Sequence, residues 1–227
     1  MRSSTLPLLA ALAGLTTAHF QLKYPPTIGF EDAKEDTAPC GGFTPDLAAS
    51  SIPDFHIGGD AVAVRLSHPQ SKWLFRVTTS DKPSSDGTGW EQIYPIVLQS
   101  GLGDFCLPQL TVPAKYEGKK GVLSIVSSAV DGLLYQCSVV NFVSGSQKAP
   151  SVCTNATITV NLSSDTALSA LVSSSGSGSG DNATSTTGSG GASSTSASAS
   201  ASPTKNAAAA AQAGSGLLAA LGGLLLL

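Results

Sequence analysis

The feature that most narrows what this chain can become is a two-residue alternation of apolar and polar side chains, repeated in short runs between Asp60 and Leu162. From Asp60 to His68, Val62, Val64 and Leu66 alternate with Ala63, Arg65 and Ser67, the period of a half-buried strand. Pro69 ends that run, so His68 is in phase with the inward set but sits at the strand's end, near a rim. Trp73 to Thr79 repeats the pattern, with Trp73, Phe75 and Val77 opposite Leu74, Arg76 and Thr78, and Trp73 reads as core. Ser80 to Gly89 is a polar loop, and further apolar runs occupy Ile93 to Leu98, Val122 to Ser127 and Tyr135 to Val143. In the last run Asn155, Thr157, Thr159 and Asn161 alternate with Ala156, Ile158, Val160 and Leu162. Asn155 and Asn161 open N-glycosylation sequons and fall on the polar face, so pattern and sequons agree. Short strands, turn signals between them and no periodic helix predict an all-β fold, an antiparallel β-sandwich.

The two ends of the chain have different chemistry. Arg2, the apolar Leu6 to Leu15 and the small residues Thr16-Thr17-Ala18 have the layout of an export signal over residues 1–18, too short to span a bilayer. The sandwich then occupies 19–165. A Ser/Gly/Thr-rich stretch over 166–206, with a third sequon at Asn182, cannot bury enough apolar surface to offset its ordering entropy and reads as a disordered, glycosylated stalk. Asn206-Ala207-Ala208, a short spacer and the apolar Leu217 to Leu227 have the order of a GPI-attachment signal, with Asn206 the modified residue and 207–227 the propeptide. The expected location is the outer face of the cell membrane, extending to the cell wall. A net charge of −3 with no basic patch argues against a nucleic-acid partner.

All four cysteines, Cys40, Cys106, Cys137 and Cys153, lie in the sandwich portion of an exported chain, where disulfides persist. No C-x-x-C is present, so zinc and thioredoxin chemistry are disfavoured. Of the three pairings, Cys106 with Cys137 and Cys40 with Cys153 is the expectation, because the second bond would tie the N-terminal loop to the last strand.

Cleavage after Ala18 would leave His19 with a free α-amine beside its imidazole. That one residue offers two nitrogens to the same ion, and a second imidazole placed opposite gives three, the tetragonal nitrogen-rich surroundings that Cu(II) favours. His56 and His68 are the candidate partners, and His68, held at a strand end, is preferred over His56 in the turn-rich Pro53 to Gly59.

His19-Phe20, Tyr24-Pro25-Pro26, Pro39-Cys40-Gly41-Gly42-Phe43, His68-Pro69, Asp131-Gly132-Leu133-Leu134-Tyr135-Gln136-Cys137 and the anchor-like tail together resemble the fungal copper acquisition factors. These Bim-type proteins are similar in fold to lytic polysaccharide monooxygenases. The resemblance implies an immunoglobulin- or fibronectin-like sandwich, a histidine brace from His19 and His68, and an aspartate as a further copper ligand. That role falls on Asp131 in the matching stretch, with Asp104 the alternative; the competing reading of Asp131-Gly132 is a hairpin turn.

The function expected is capture of one Cu(II) ion per chain by a monomeric, GPI-anchored surface protein in copper homeostasis, without polysaccharide cleavage. A membrane copper transporter or a wall glycan would be its partner. The rivals are a copper-dependent monooxygenase acting on a wall glycan and a structural wall glycoprotein. No G-x-S-x-G elbow, P-loop or dinucleotide glycine motif is present. The first test is the terminus itself. Mass spectrometry of the secreted protein is expected to give a polypeptide starting at His19, and any other start would take the amine away from the site.

Overall fold

The structure is a computed structural model, and it describes residues 19–173. The expected signal segment, the greater part of the stalk with Asn182, and the anchor signal at Asn206 lie outside the described residues. The chain runs β1 (Phe20–Tyr24), β2 (Asp54–His56), β3 (Asp60–Leu66), β4 (Gln70–Thr78), β5 (Glu91–Ser100), β6 (Gly103–Leu110), β7 (Lys120–Ala129), β8 (Gly132–Val143), β9 (Thr159–Leu162) and a one-turn α1 (Thr166–Ser169). One sheet has the order β1-β3-β6, the other β2-β8-β7-β4-β5-β9.

The inward sets meet between the sheets as the alternation requires. Phe20, Leu22, Val62, Val64, Leu66 and Phe105 of the small sheet pack on Trp73, Phe75, Val77, Leu123, Ile125, Val140 and Phe142 of the large one. Trp73 is fully buried, meets Phe20 edge-on at 5.1 Å, and donates its indole N–H to Gln99 Oε1 at 3.0 Å. Pro95 sits in β5 where Trp73 pairs with Val97 but Phe75 with Tyr94, a bulge that tolerates a residue without an N–H.

Alternation did not predict everything. The antiparallel expectation fails at β2, which pairs with β8 in parallel, because a long wrapping connection reaches it instead of a hairpin. The second face of β4 is not solvated either: Leu74, Arg76 and Thr78 are all buried. Ala38, Leu168 and Leu171 cover Leu74, while Ile28, Leu47, Ile52, Cys40 and Trp90 cover the neighbouring Val122 and Val139. The sandwich therefore has a third layer, built from the N-terminal loop and the C-terminal helix. That helix also moves the domain boundary. Asp165 caps it by accepting the Leu168 N–H at 3.0 Å, and Ser173 donates to the Trp90 carbonyl, so the folded part continues past the expected end at 165.

The last strand is shorter than its alternation suggested and buries no residue: Val160 is 38% and Leu162 76% exposed. It lies at the sheet's edge against Val97 to Ser100, and a period of two cannot say whether its apolar side is covered. Asn155 and Asn161 are both exposed, as their sequons require.

The disulfides are Cys40–Cys137 and Cys106–Cys153, so the expected pairings Cys106 with Cys137 and Cys40 with Cys153 are corrected. Cys137 leaves the outer face of β8 and meets the N-terminal loop beside Trp90 and Val139. Cys106 leaves the outer face of the other sheet, with Ala61, Ala63 and Cys153. A bond between Cys106 and Cys137 would have to cross the core. At Gly41 the φ of +64° and a would-be Cβ 2.6 Å from the Tyr135 carbonyl oxygen explain why glycine follows Cys40.

Peptide mapping without reduction is expected to recover a Cys40–Cys137 peptide pair. Replacing both with Ser is expected to lower unfolding stability by about 2–5 kcal/mol in denaturant titration, the usual loss for a native bridge closing a long loop.

Candidate metal centre

Register brings three chain segments to one end of the sandwich. Phe20 pairs with Leu66, Lys72 with Ser128, and Ala129 with Gly132, so the start of β1, the β3–β4 turn and the β7–β8 turn are neighbours.

His19 is fixed by its neighbour across the turn. Its backbone nitrogen lies 2.9 Å from Ser67 Oγ, and its carbonyl accepts from the Ser67 N–H at 3.1 Å and from the Ser67 hydroxyl at 2.6 Å. The imidazole Nε2 stands 3.0 Å from the Asp32 carbonyl oxygen. A carbonyl only accepts, so the neutral ring carries its proton on Nε2 and its lone pair on Nδ1, the nitrogen that closes a chelate ring with the α-amine. Phe30 meets the ring edge-on at 6.3 Å. Gln21, Arg65 and Ser67 complete a cleft of about 260 Å³ with His19, Phe30 and Asp32.

His68, two residues beyond β3, is 6% exposed, deeper than its place at a rim suggested. Its Nε2 lies 2.9 Å from Asp131 Oδ2. Asp131 stands in the two-residue turn Val130-Asp131 of the β7–β8 hairpin, with Gly132 at φ +107° behind it. The turn reading and the site reading of Asp131 are thus compatible. Two donors bound at right angles, each about 2.0–2.2 Å from one ion, would lie about 3 Å apart, so this pair suits a shared metal.

The alternatives are otherwise engaged. His56 Nδ1 lies 3.0 Å from Asp60, a buried carboxylate that also accepts from the Ala61 N–H and the Tyr24 hydroxyl. Asp104 is held by Lys23 at 3.2 Å and Arg65 at 3.4 Å. Among the described residues no three His, Cys, Asp or Glu side chains are gathered into a finished metal cluster. The structure joins His68 to Asp131, sets the His19 nitrogen one residue from His68, and leaves His56 and Asp104 in separate contacts. A histidine brace would draw on mixed donors, main-chain nitrogen together with side chains.

Two residues here escaped sequence reasoning. Gln136 is 2% exposed and reaches from β8 to β1: its Nε2 donates to the Phe20 carbonyl and to Glu35 Oε1, and its Oε1 accepts from the Leu22 N–H at 3.0 Å. It shares the inward phase of Leu134 and Val140, and a polar residue in that phase was the available signal. Glu35 is 1% exposed, and its Oε2 is buried with no hydrogen-bond partner. It lies in the charged run Glu31 to Asp36, which looks like a solvated loop, and nothing in that run marks it. Burial pushes its carboxyl up from 4.5 to about 7, against the opposing pull of the Gln136 amide, the His19 charge and the Phe20 N–H.

Over residues 17–158 the sequence matches the family described as copper acquisition factor BIM1-like. The chain belongs to that family. It is 30% identical over 158 residues to the lytic polysaccharide monooxygenase-like protein X325 of Yarrowia lipolytica, covering 66% of this chain and 58% of that one. It is 31% identical over 151 residues to copper acquisition factor BIM1 of Cryptococcus neoformans var. grubii, covering 61% of this chain and 66% of that one. The chain therefore spans less than two thirds of the length of these relatives. The family is described by copper acquisition, and the pair at His68 and Asp131 stands at the end of the sandwich where β1 begins.

Because folded Glu35 holds its proton more tightly than the unfolded chain does, this group weakens the metal-free protein progressively as pH rises from about 4.5 to about 7. Glu35→Gln is expected to leave unfolding stability near wild type at pH 4.5 and to raise it at pH 8, by up to about 3 kcal/mol, in urea titrations of the metal-free protein.

Proposed function

We propose that this protein is a cell-surface copper-capture protein that binds one Cu(II) ion through the α-amine and Nδ1 of a processed His19, the His68 imidazole and the Asp131 carboxylate. The observation that carries the reading is the 2.9 Å approach of His68 Nε2 to Asp131 Oδ2, beside the anchored His19 backbone. Copper here is cargo, and the chain's residues account for how it would be held. Nitrogen donors with one hard oxygen suit Cu(II), while Cu(I) prefers sulfur ligands that this end of the sandwich lacks among the residues named. The carboxylate offsets part of the ion's charge and occupies coordination space. An α-amine titrating near 8 must lose its proton to bind, so affinity rises with pH until that step is complete.

Export by residues 1–18, a glycosylated stalk and lipid attachment at Asn206 would put this domain outside the membrane, near a transporter to which the ion is handed. Tethering favours this over work on an insoluble glycan, because it raises local concentration at the membrane and restricts search elsewhere. Glycans at Asn155 and Asn161 would point to solvent. At Asn161 a glycan also shields the edge strand β9, with its exposed Leu162, from pairing with another chain. The non-enzymatic reading draws support from the aromatics: Trp73 and Trp90 are 0% and 1% exposed, so neither tryptophan offers a flat surface to a polysaccharide.

One equivalent of Cu(II) added to the processed protein is expected to give an axial, nitrogen-rich electron paramagnetic resonance spectrum. An extra residue before His19, or His68→Ala, should abolish that spectrum, and Asp131→Ala should shift its parameters and lower affinity by about 10-fold or more, the order of one lost charged ligand. Copper-loaded protein incubated with reductant, peroxide and chitin or glucan is expected to release nothing. Soluble oxidised oligosaccharides would instead identify a monooxygenase.

A further inference from the structure

The two strands that carry the candidate ligands belong to different sheets. His19 precedes β1 of the small sheet, and Asp131 precedes β8 of the large one, so no backbone ladder sets the distance between them. Side chains must do so, and among the described residues the hydrogen bonds that cross between β1 and β8 run through Gln136. Its amide grips β1 at two points, the Phe20 carbonyl and the Leu22 N–H, one residue from His19 and three from it. Glu35 closes the arrangement from a third segment. Its Oε1 accepts from Gln136 Nε2 at 2.7 Å and from the Phe20 N–H at 3.4 Å, while its own backbone carbonyl accepts the Tyr135 N–H at 2.7 Å. Both side chains are buried, so neither can trade these bonds for water.

A buried carboxylate with one oxygen left unpaired is a costly way to hold a loop, because burial desolvates both oxygens and only Oε1 gains partners. What the polar pair supplies, and an apolar one would not, is direction. It orients the Gln136 amide so that β1 is held in one register against β8. Ser67 sets His19 against the turn that carries His68; we infer that Gln136 and Glu35 are positioning residues for the copper site, fixing where the His19 nitrogens stand relative to Asp131. This rests on the reading of His19, His68 and Asp131 as the ligands. Residues of this kind around metal centres typically alter affinity by about 10- to 100-fold when lost.

The experiment compares Cu(II) affinity and electron paramagnetic resonance parameters of the processed wild type with Gln136→Met, Glu35→Leu, Glu35→Gln and, as a stability control, Leu123→Ala in the core. An axial nitrogen-rich wild-type spectrum establishes the brace. Its absence would remove the ligand assignment before any variant is considered. Given that spectrum, Gln136→Met and Glu35→Leu are expected to bind Cu(II) about 10- to 100-fold more weakly with a changed copper hyperfine splitting. Glu35→Gln keeps an oxygen facing Gln136 and Phe20 and is expected to restore the wild-type splitting. Leu123→Ala should lose thermal stability while keeping the wild-type splitting. If Gln136→Met does not fold, Glu35→Leu carries the test, because it leaves the bonds from Gln136 to β1 in place. Wild-type splitting and affinity within about twofold in Glu35→Leu would overturn the inference. So would equal damage from Glu35→Gln, which would assign the effect to charge and not to hydrogen-bond direction.

Discussion

Strand β4 is buried on both of its faces, and the rest of the molecule is arranged around that constraint. A half-buried sheet needs one partner, whereas one buried on both faces needs two. The small sheet supplies the first, through Phe20, Val62, Val64 and Phe105. The second is assembled from segments with little regular structure, residues 28–52 and α1. Arg76 shows what this demands. Its guanidinium is fully buried, donates to the Leu171 carbonyl at 2.7 Å and the Pro39 carbonyl at 3.5 Å, and lies 4.1 Å from the centre of the Trp90 ring. Burial pulls its pKa down to about 10, still charged at neutral pH, and the carbonyl dipoles and indole face offset part of the desolvation. One side chain therefore ties together the loop before Cys40 and the end of the C-terminal helix. The disulfide from Cys40 to Cys137 locks the same loop to β8.

The wrapping loop also accounts for the position of His19. A segment that must cover β4, β7 and β8 from outside, having begun in the opposite sheet, has to turn around the edge of the sandwich. Cys40, Gly41 and the Glu35 carbonyl all meet β8 at Tyr135 and Cys137. Gln136, between those two residues, faces inward to β1. Adjacent residues of one strand thus hold both ends of the N-terminal segment, one on each face. The β7–β8 hairpin that presents Asp131 is the same element that the segment is fastened to.

Much of this was legible in the sequence, and the failures have a common cause. Val62, Val64 and Leu66, Trp73, Phe75 and Val77 alternate because one face must be apolar, so the strands and the inner core could be read directly. The same pattern is silent on what covers the other face. Leu74, Arg76 and Thr78 look like a solvent side, and Ala156, Ile158, Val160 and Leu162 look like a core side, yet the first set is buried and most of the second is not. The cysteine pairing failed for that reason. Which face Cys106 and Cys137 leave can be counted by parity, but that the two outer faces belong to opposite sheets is a property of topology. The turn positions of His68 and Asp131 were legible from Pro69 and from Asp131-Gly132. Glu35 was not, because its burial depends on neighbours distant in sequence, Tyr135 and Gln136 of β8 and Phe20 of β1, which nothing in its own charged run announces.

On the proposed reading, the mixed donor set has a consequence for where copper can be bound. A site made only of side chains would be complete as soon as the domain folded. Here one donor is a main-chain nitrogen that is an amide while Ala18 is attached and an amine once it is removed. An amide nitrogen has no lone pair to give at neutral pH, whereas an amine titrating near 8 does. The Ser67 contacts, which position that nitrogen 2.9 Å from the hydroxyl, involve the His19 carbonyl as well and do not depend on cleavage. Folding can therefore place the nitrogen before processing makes it a ligand. On that reading the scaffold sets the geometry and cleavage after Ala18 would decide when the site can hold the ion, which would confine capture to chains already exported.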